Sequence, residues 1–253
     1  MPELPELQAV QEVLARRVVG MTIRAVHVFP GSAIVVRDLT HSGFAETLTG
    51  ATITAIARRG KFLVFSIARD DAPLYLVLNL KLTGRLQLAR GGEKRLPKTH
   101  LILELASGDE LRYVDQRVMG QVYLTRDLAQ VPDFASMGPE PFEISRDEFR
   151  ARLARYRGEI KGILTRGEFV AGIGNAYADE ILWAARLHPP ACAWRACCCV
   201  CATATATGST RSKARRICSI GGRWRRSFEP TTGLSFWIPP RAKRRCVSTV
   251  SLP

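Results

Sequence analysis

Apolar residues at Leu4, Leu7, Val10, Val13, Leu14 and Val18 fall at helical spacing, and Gly20 follows as a stop. This stripe predicts a helix over 2–19. The period then shortens. Runs of β-branched and aliphatic residues occupy Thr22–Phe29, Thr52–Ala57, Phe62–Ala68, Leu74–Leu80, Arg85–Leu88, Leu101–Leu105, Glu110–Val114 and Gln121–Leu124. Arg59-Gly60, Thr83-Gly84 and Ser107-Gly108-Asp109 supply turns between them. Short strands at this spacing predict an antiparallel β-sandwich or barrel.

A connector containing Pro and Gly covers 126–142. Helical signals follow. Ser145-x-x-Glu148 is a capping box that opens a helix through about Tyr156. A short piece follows near Glu159–Leu164. After turns at Gly167 and Gly172-Ile173-Gly174, Asn175 caps a further helix to about Leu187, closed by His188-Pro189-Pro190. The overall class is α+β. Its expected organisation is a sandwich domain over 1–125, the connector, a helical domain over 143–189 and an irregular tail over 190–253. In that tail neither periodicity persists, and Cys197-Cys198-Cys199-Val200-Cys201 and the Ala-Thr repeat of 202–207 are low-complexity. No longer internal repeat is visible.

The chain lacks an apolar run of about 18 residues, the length that a membrane helix needs. It also lacks the basic-then-apolar start of a secretory signal. A cytoplasmic protein without membrane contact is expected. Lys and Arg total 37 against 23 Asp and Glu, a formal net charge of +14. Such basicity points to a polyanionic partner, most often nucleic acid. The charge is unevenly spread. Residues 191–253 hold 12 basic residues and one acid, Glu229, leaving 25 basic and 22 acidic residues in 1–190. All seven cysteines and three of the four tryptophans also lie beyond residue 190.

Four groups of residues carry candidate chemistry. The first is Pro2 with Glu3 and Glu6. Removal of Met1 would make the Pro2 nitrogen a terminal secondary amine, and a terminal amine has a pKa near ~8. Such an amine attacks a sugar aldehyde carbon to form a Schiff base, while adjacent carboxylates move protons. Equally, Pro near a helix start is common because its missing N–H is not required there. The second group is Arg58-Arg59-Gly60-Lys61, where Lys61 is either a solvated strand-edge lysine or one that binds a phosphate or protonates a leaving group. The third is Asp115-Gln116-Arg117-Val118-Met119-Gly120. Its arginine beside an apolar residue suits a wedge that opens a base stack, although a plain hairpin reads alike. The fourth is Gly172–Glu180, where a glycine turn delivers a helix N-terminus. Its backbone N–H groups and the Asn175 side chain can hold a phosphate.

Together these groups resemble the formamidopyrimidine-DNA glycosylases and their endonuclease-VIII-like relatives. The start Met-Pro-Glu-Leu-Pro-Glu, Gly60-Lys61, Leu80-Lys81-Leu82-Thr83-Gly84, Met137-Gly138-Pro139-Glu140-Pro141 and Ala171–Glu180 stand in the family's order and spacing. The resemblance spans 1–189 and implies a helix–two-turn–helix in the helical domain. It also implies excision of oxidised purines such as 8-oxoguanine and formamidopyrimidine from double-stranded DNA, with action on abasic sites and strand cleavage by a monomer. On this likeness Pro2 attacks C1′, and Glu3 is the acid at the sugar ring oxygen. Glu6 lies near the lesion, and Lys61 binds phosphate and assists β-elimination. No cofactor is needed for that chemistry. Leu82, Arg117 and Met119 stand where the family has Met, Arg and Phe to fill the gap left by the extruded base. Leu82 and Met119 lack an aromatic face, which bears on preference for the opposite base. Lys98 stands at a frequent His, Arg157 and Lys161 match DNA-backbone positions, and Asn175 matches a phosphate-binding Asn.

The family continues into a zinc finger with two Cys-x-x-Cys pairs. This chain has one, Cys198 to Cys201, with Cys218 and Cys246 alone. A structural zinc site needs four spaced ligands, so none is expected. The abrupt loss of acids at residue 190 reads as a frame-shifted translation of a GC-rich gene, with a basic DNA-clamping tail as the rival. The expected function is glycosylase and lyase activity. The alternative is a damage-binding protein impaired by loss of the clamp.

Overall fold

The computed structural model describes residues 2–188. Helix α1 covers Leu4–Val18 and buries Leu4, Leu7, Leu14 and Val18, while Val13 faces outward. The predicted stripe is thus narrower by one residue. Nine strands follow: β1 (Ile23–Val28), β2 (Val36–Asp38), β3 (Thr52–Arg59), β4 (Phe62–Ala68), β5 (Leu74–Asn79), β6 (Gly84–Arg90), β7 (Thr99–Leu105), β8 (Asp109–Asp115) and β9 (Gln121–Thr125). A short helix, α2 (Phe44–Leu48), separates β2 from β3.

The strands form two sheets, in the orders β1-β7-β8-β6 and β2-β9-β5-β4-β3. Their facing sides enclose one apolar core that includes Phe65, Leu76, Leu103, Leu111 and Leu124. All pairings are antiparallel except β2 with β9, which is parallel. Neither β2 nor α2 is marked by the sequence pattern. A three-residue strand and a five-residue helix are too short for either period to show.

The connector does more than span a gap. Its Val131 packs on Phe62, Val64, Val77 and Tyr123, which form the outer side of the larger sheet. Phe134 meets Phe62 edge to face, with ring centroids 5.4 Å apart. Helices α3 (Arg146–Leu153), α4 (Ile160–Leu164) and α5 (Asn175–Ala184) then close around Leu153, Ile163, Phe169 and Leu182. Ser145 caps α3 as expected, its hydroxyl accepting the Glu148 N–H at 3.1 Å. Helices α3 and α5 each end about three residues sooner than the sequence predicted. The tail, and every reading placed on it, lies outside the described residues.

Candidate active site

Sheet register gathers the candidate loops. Phe62 pairs with Asn79, and Asn79 with Gln121. The chain turns immediately before Phe62, after Asn79 and before Gln121. Lys61, the Leu80–Thr83 loop and the Gln116–Gly120 loop therefore leave the same end of the larger sheet. In the smaller sheet Gly84 pairs with Asp115. Both loops cross between the sheets at this end, side by side. They carry Leu82, Arg117 and Met119, all exposed.

Glu3 links this end to the helical unit. It is only 2% exposed. One carboxylate oxygen accepts N–H groups from Gly174 at 2.8 Å and Tyr177 at 3.2 Å, and the other accepts from Ala176 at 2.9 Å. The positive end of α5 favours a carboxylate there. Gly174 has to be glycine, because a Cβ would overlap the Glu3 carboxylate. Gly172, at φ +85°, similarly leaves room for Leu4.

This arrangement corrects one expectation. The N–H groups of Gly174, Ala176 and Tyr177 hold Glu3, so these three are not free for a phosphate. Gly174, rather than Asn175, is the residue before the first helical turn. Asn175 is exposed at that turn. Glu6 is exposed too, and its carboxylate accepts the Glu3 N–H at 3.0 Å, which caps α1.

Pro2 is half-buried at the entry to α1. Lys61 is also half-buried. Burial lowers its ammonium below the usual lysine range, Glu3 opposes that shift, and Lys81 adds to it. Glu3 and Lys61 thus share one electrostatic site.

The neighbouring arginines serve a different purpose. Arg58 and Arg59 both donate to the buried Glu140 carboxylate, at 2.7 and 3.0 Å, and the Gly60 N–H donates at 2.6 Å. Arg59 also reaches the Gly138 carbonyl at 2.7 Å, and Arg58 reaches Gln8 of α1 at 2.8 Å. Burial pushes the Glu140 carboxyl up, but these donors hold it below the usual range. The turn that presents Lys61 is thereby fastened to the connector and to α1. The Met137–Pro141 motif carries no local signal for this role of Glu140.

The remaining candidates stand on neighbouring elements. Lys98 is exposed in the loop between β6 and β7. Arg157 is exposed between α3 and α4. Lys161 pairs with Asp179 of α5 at 2.7 Å. Among the described residues no group of three or more His, Cys, Asp or Glu could hold a metal ion. No described helix is long and apolar enough to cross a membrane.

A β-sandwich joined through its N-terminal helix to a helix–two-turn–helix unit is an architecture that this chain shares with a family of DNA glycosylases. The family model described as the formamidopyrimidine-DNA glycosylase N-terminal domain matches residues 1–122, and that for its H2TH domain matches 137–207. The second match runs past Pro189, where the motif resemblance ends. The formamidopyrimidine-DNA glycosylase of Moorella thermoacetica is 37% identical over 193 residues, 75% of this chain and 69% of that protein. Its Bacillus licheniformis counterpart is 39% identical over 198 residues, 76% and 70% of the two chains. Among solved structures, Lactococcus lactis Fpg in complex with abasic-site DNA superposes with a TM-score of 0.66 at 34% identity, covering 75% of this chain and 70% of that one. MutM in complex with DNA containing carbocyclic 8-oxo-G gives 0.67 at 34% identity, covering 76% and 72%. The chain belongs to the formamidopyrimidine-DNA glycosylase family.

Proposed function

We propose that this protein removes oxidised purines from double-stranded DNA and cuts the strand at the resulting site through a Schiff base on Pro2. The carrying observation is that Glu3, one residue from Pro2, is held by α5 and shares an electrostatic site with Lys61. Loss of Met1 frees the Pro2 amine. Its lone pair forms a bond to C1′, and the bond from C1′ to the base breaks, its electron pair leaving with the base. Glu3 takes the proton that the Pro2 nitrogen loses on bonding to C1′ and passes it to the sugar ring oxygen as the bond from that oxygen to C1′ breaks, which leaves an iminium between Pro2 and the opened sugar. The resulting iminium draws electrons from C2′, so that loss of the C2′ proton expels the 3′ phosphate. Lys61 pairs in its ammonium form with the 3′ phosphate as that group leaves, and its lowered ammonium favours passing the phosphate a proton. A second elimination releases the 5′ phosphate.

Leu82, Arg117 and Met119 fill the gap left by the extruded base, which costs a few kcal/mol to unstack. Lys98, Arg157 and Asn175 contact the backbone. A phosphate that approaches Lys161 has to compete with Asp179. No step runs through zinc. The cysteines lie outside the described residues, and one Cys-x-x-Cys falls short of a four-ligand site.

That missing pair supports a second reading, in which the protein binds damage but turns over poorly because the zinc clamp is lost through a frame shift near codon 190. A gene whose other frames contain no Cys-x-x-Cys pair at family spacing contradicts the frame shift. The activity itself is tested with a duplex bearing a single 8-oxoguanine. Base release, together with a gap flanked by 3′ and 5′ phosphates, is expected. Release with an uncut strand contradicts the Schiff-base route.

A further inference from the structure

Asp115 ends β8 and has no exposed surface. Its side chain is the meeting point of the loops described above. One carboxylate oxygen accepts the Met119 N–H at 2.8 Å and the Gly120 N–H at 2.7 Å, while the Tyr113 hydroxyl stands 3.4 Å away. The other accepts the Arg117 N–H at 3.1 Å and the hydroxyl of Thr83. Thr83 belongs to the loop of Leu82 and in turn accepts the Arg117 N–H at 3.2 Å. The backbone of Asp115 ties a third loop, donating its own N–H to the Lys98 carbonyl at 3.0 Å.

Two details show that this hub imposes a conformation. Val118, a β-branched residue, sits at φ +56°, where such residues are strained. The N–H groups on either side of it, from Arg117 and Met119, both end on Asp115, which opposes relaxation of the turn. Behind the hub, the register of β7 slips around His100. This bulge turns the His100 ring toward the Asp115 carbonyl, at 3.0 Å, with its other nitrogen 3.1 Å from the Ser32 hydroxyl.

We propose that Asp115 is the positioning residue for base extrusion. Its carboxylate fixes Arg117 and Met119 relative to Leu82, so that the three enter the duplex as one wedge. The proposal rests on the glycosylase reading given above. It assigns Asp115 no contact with substrate. The wedge is needed when a stacked, paired base has to leave, and it is dispensable at an abasic site in a single strand.

The test compares wild type, Asp115→Asn and Thr83→Val on two probes. The first is 8-oxoguanine paired with cytosine in a duplex. The second is borohydride trapping on a single-stranded abasic oligonucleotide. Thr83→Val keeps side-chain shape and removes only the hydroxyl that couples the loops, so it remains informative if Asp115→Asn fails to fold. Loss of hydrogen bonds to a buried carboxylate predicts a fall of about ten- to a hundred-fold in duplex excision, with trapping within about twofold of wild type. An equal fall on both probes, or no fall in Thr83→Val, overturns the positioning role. A wild type that forms no trapped adduct overturns the glycosylase reading itself, which separates the two failures.

Discussion

The Glu3 carboxylate accepts the Gly174 N–H at 2.8 Å, across 171 residues of chain. The residue beside the candidate nucleophile is therefore also the cap of α5. Glu3→Gln keeps one carbonyl oxygen and replaces the other with an amide NH₂, which faces backbone donors. The expected loss is about 1–3 kcal/mol of stability, the usual cost of disturbing hydrogen bonds to a buried charged group. Glu6→Gln, at an exposed cap, should cost no more than about 0.5 kcal/mol. Urea unfolding of the two variants checks the ranking. Equal losses would place the cap elsewhere.

Glu140 binds Arg58, Arg59 and the Gly60 N–H from a buried position. Removing one partner of such a group leaves charge uncompensated, so Glu140→Ala should cost about 3–5 kcal/mol. The same site sets a pH dependence. The folded carboxyls of Glu140 and Asp115 lie below their ordinary values: burial raises both, and hydrogen-bond donors more than offset it. Their stabilisation is thus full above the unfolded values of about 4.3 and 3.9, and is lost as pH falls through the folded ones. Denaturant midpoints should drop below about pH 4 in wild type, and the drop should be shallower in Glu140→Gln. A profile unchanged by that substitution would remove Glu140 from the linkage.

Lys61 should titrate below about 10.4, the ordinary lysine value. Burial is the first cause, Glu3 opposes it, and Lys81 adds a smaller repulsion in the same direction as burial. Lys81→Met should raise the Lys61 titration, and Glu3→Gln should lower it. Lysine side-chain NMR across alkaline pH reads both shifts. Movement in the opposite directions would mean that these charges do not face Lys61.

Met119 is 50% exposed, so its side chain adds little to the fold. Met119→Ala should change stability by less than about 0.5 kcal/mol while slowing excision from duplex DNA. Met119→Phe adds a stacking face worth about 1–3 kcal/mol per base and should sharpen discrimination between bases opposite the lesion. Excision rates against each of the four opposite bases decide this.

The sandwich was legible because its strands repeat a simple apolar pattern, and Phe62–Ala68 matches strand β4 residue for residue. Pro2, Glu3 and Lys61 were legible as chemistry, since their residue types and spacing carry the family resemblance. Their supports were not. Glu3 reads as an acid in the sequence, and only the fold shows its oxygens turned onto Gly174, Ala176 and Tyr177. Nothing local in Pro139-Glu140-Pro141 reveals that its carboxylate meets a turn 80 residues earlier. Asp115 offered a partial signal. An Asp followed by a turn and a glycine often accepts N–H groups from the next few residues. Its bond to Thr83 depends on strand pairing between β6 and β8, which single-residue patterns do not encode.

Borohydride trapping on 8-oxoguanine duplex, followed by proteolysis and mass spectrometry of the adduct, tests the central claim most directly. The account predicts that the sugar remnant sits on a peptide beginning at Pro2, with Met1 absent, and that Pro2→Gly sharply reduces the adduct. A remnant on Lys61 or another lysine, or an adduct on protein that retains Met1, would contradict it.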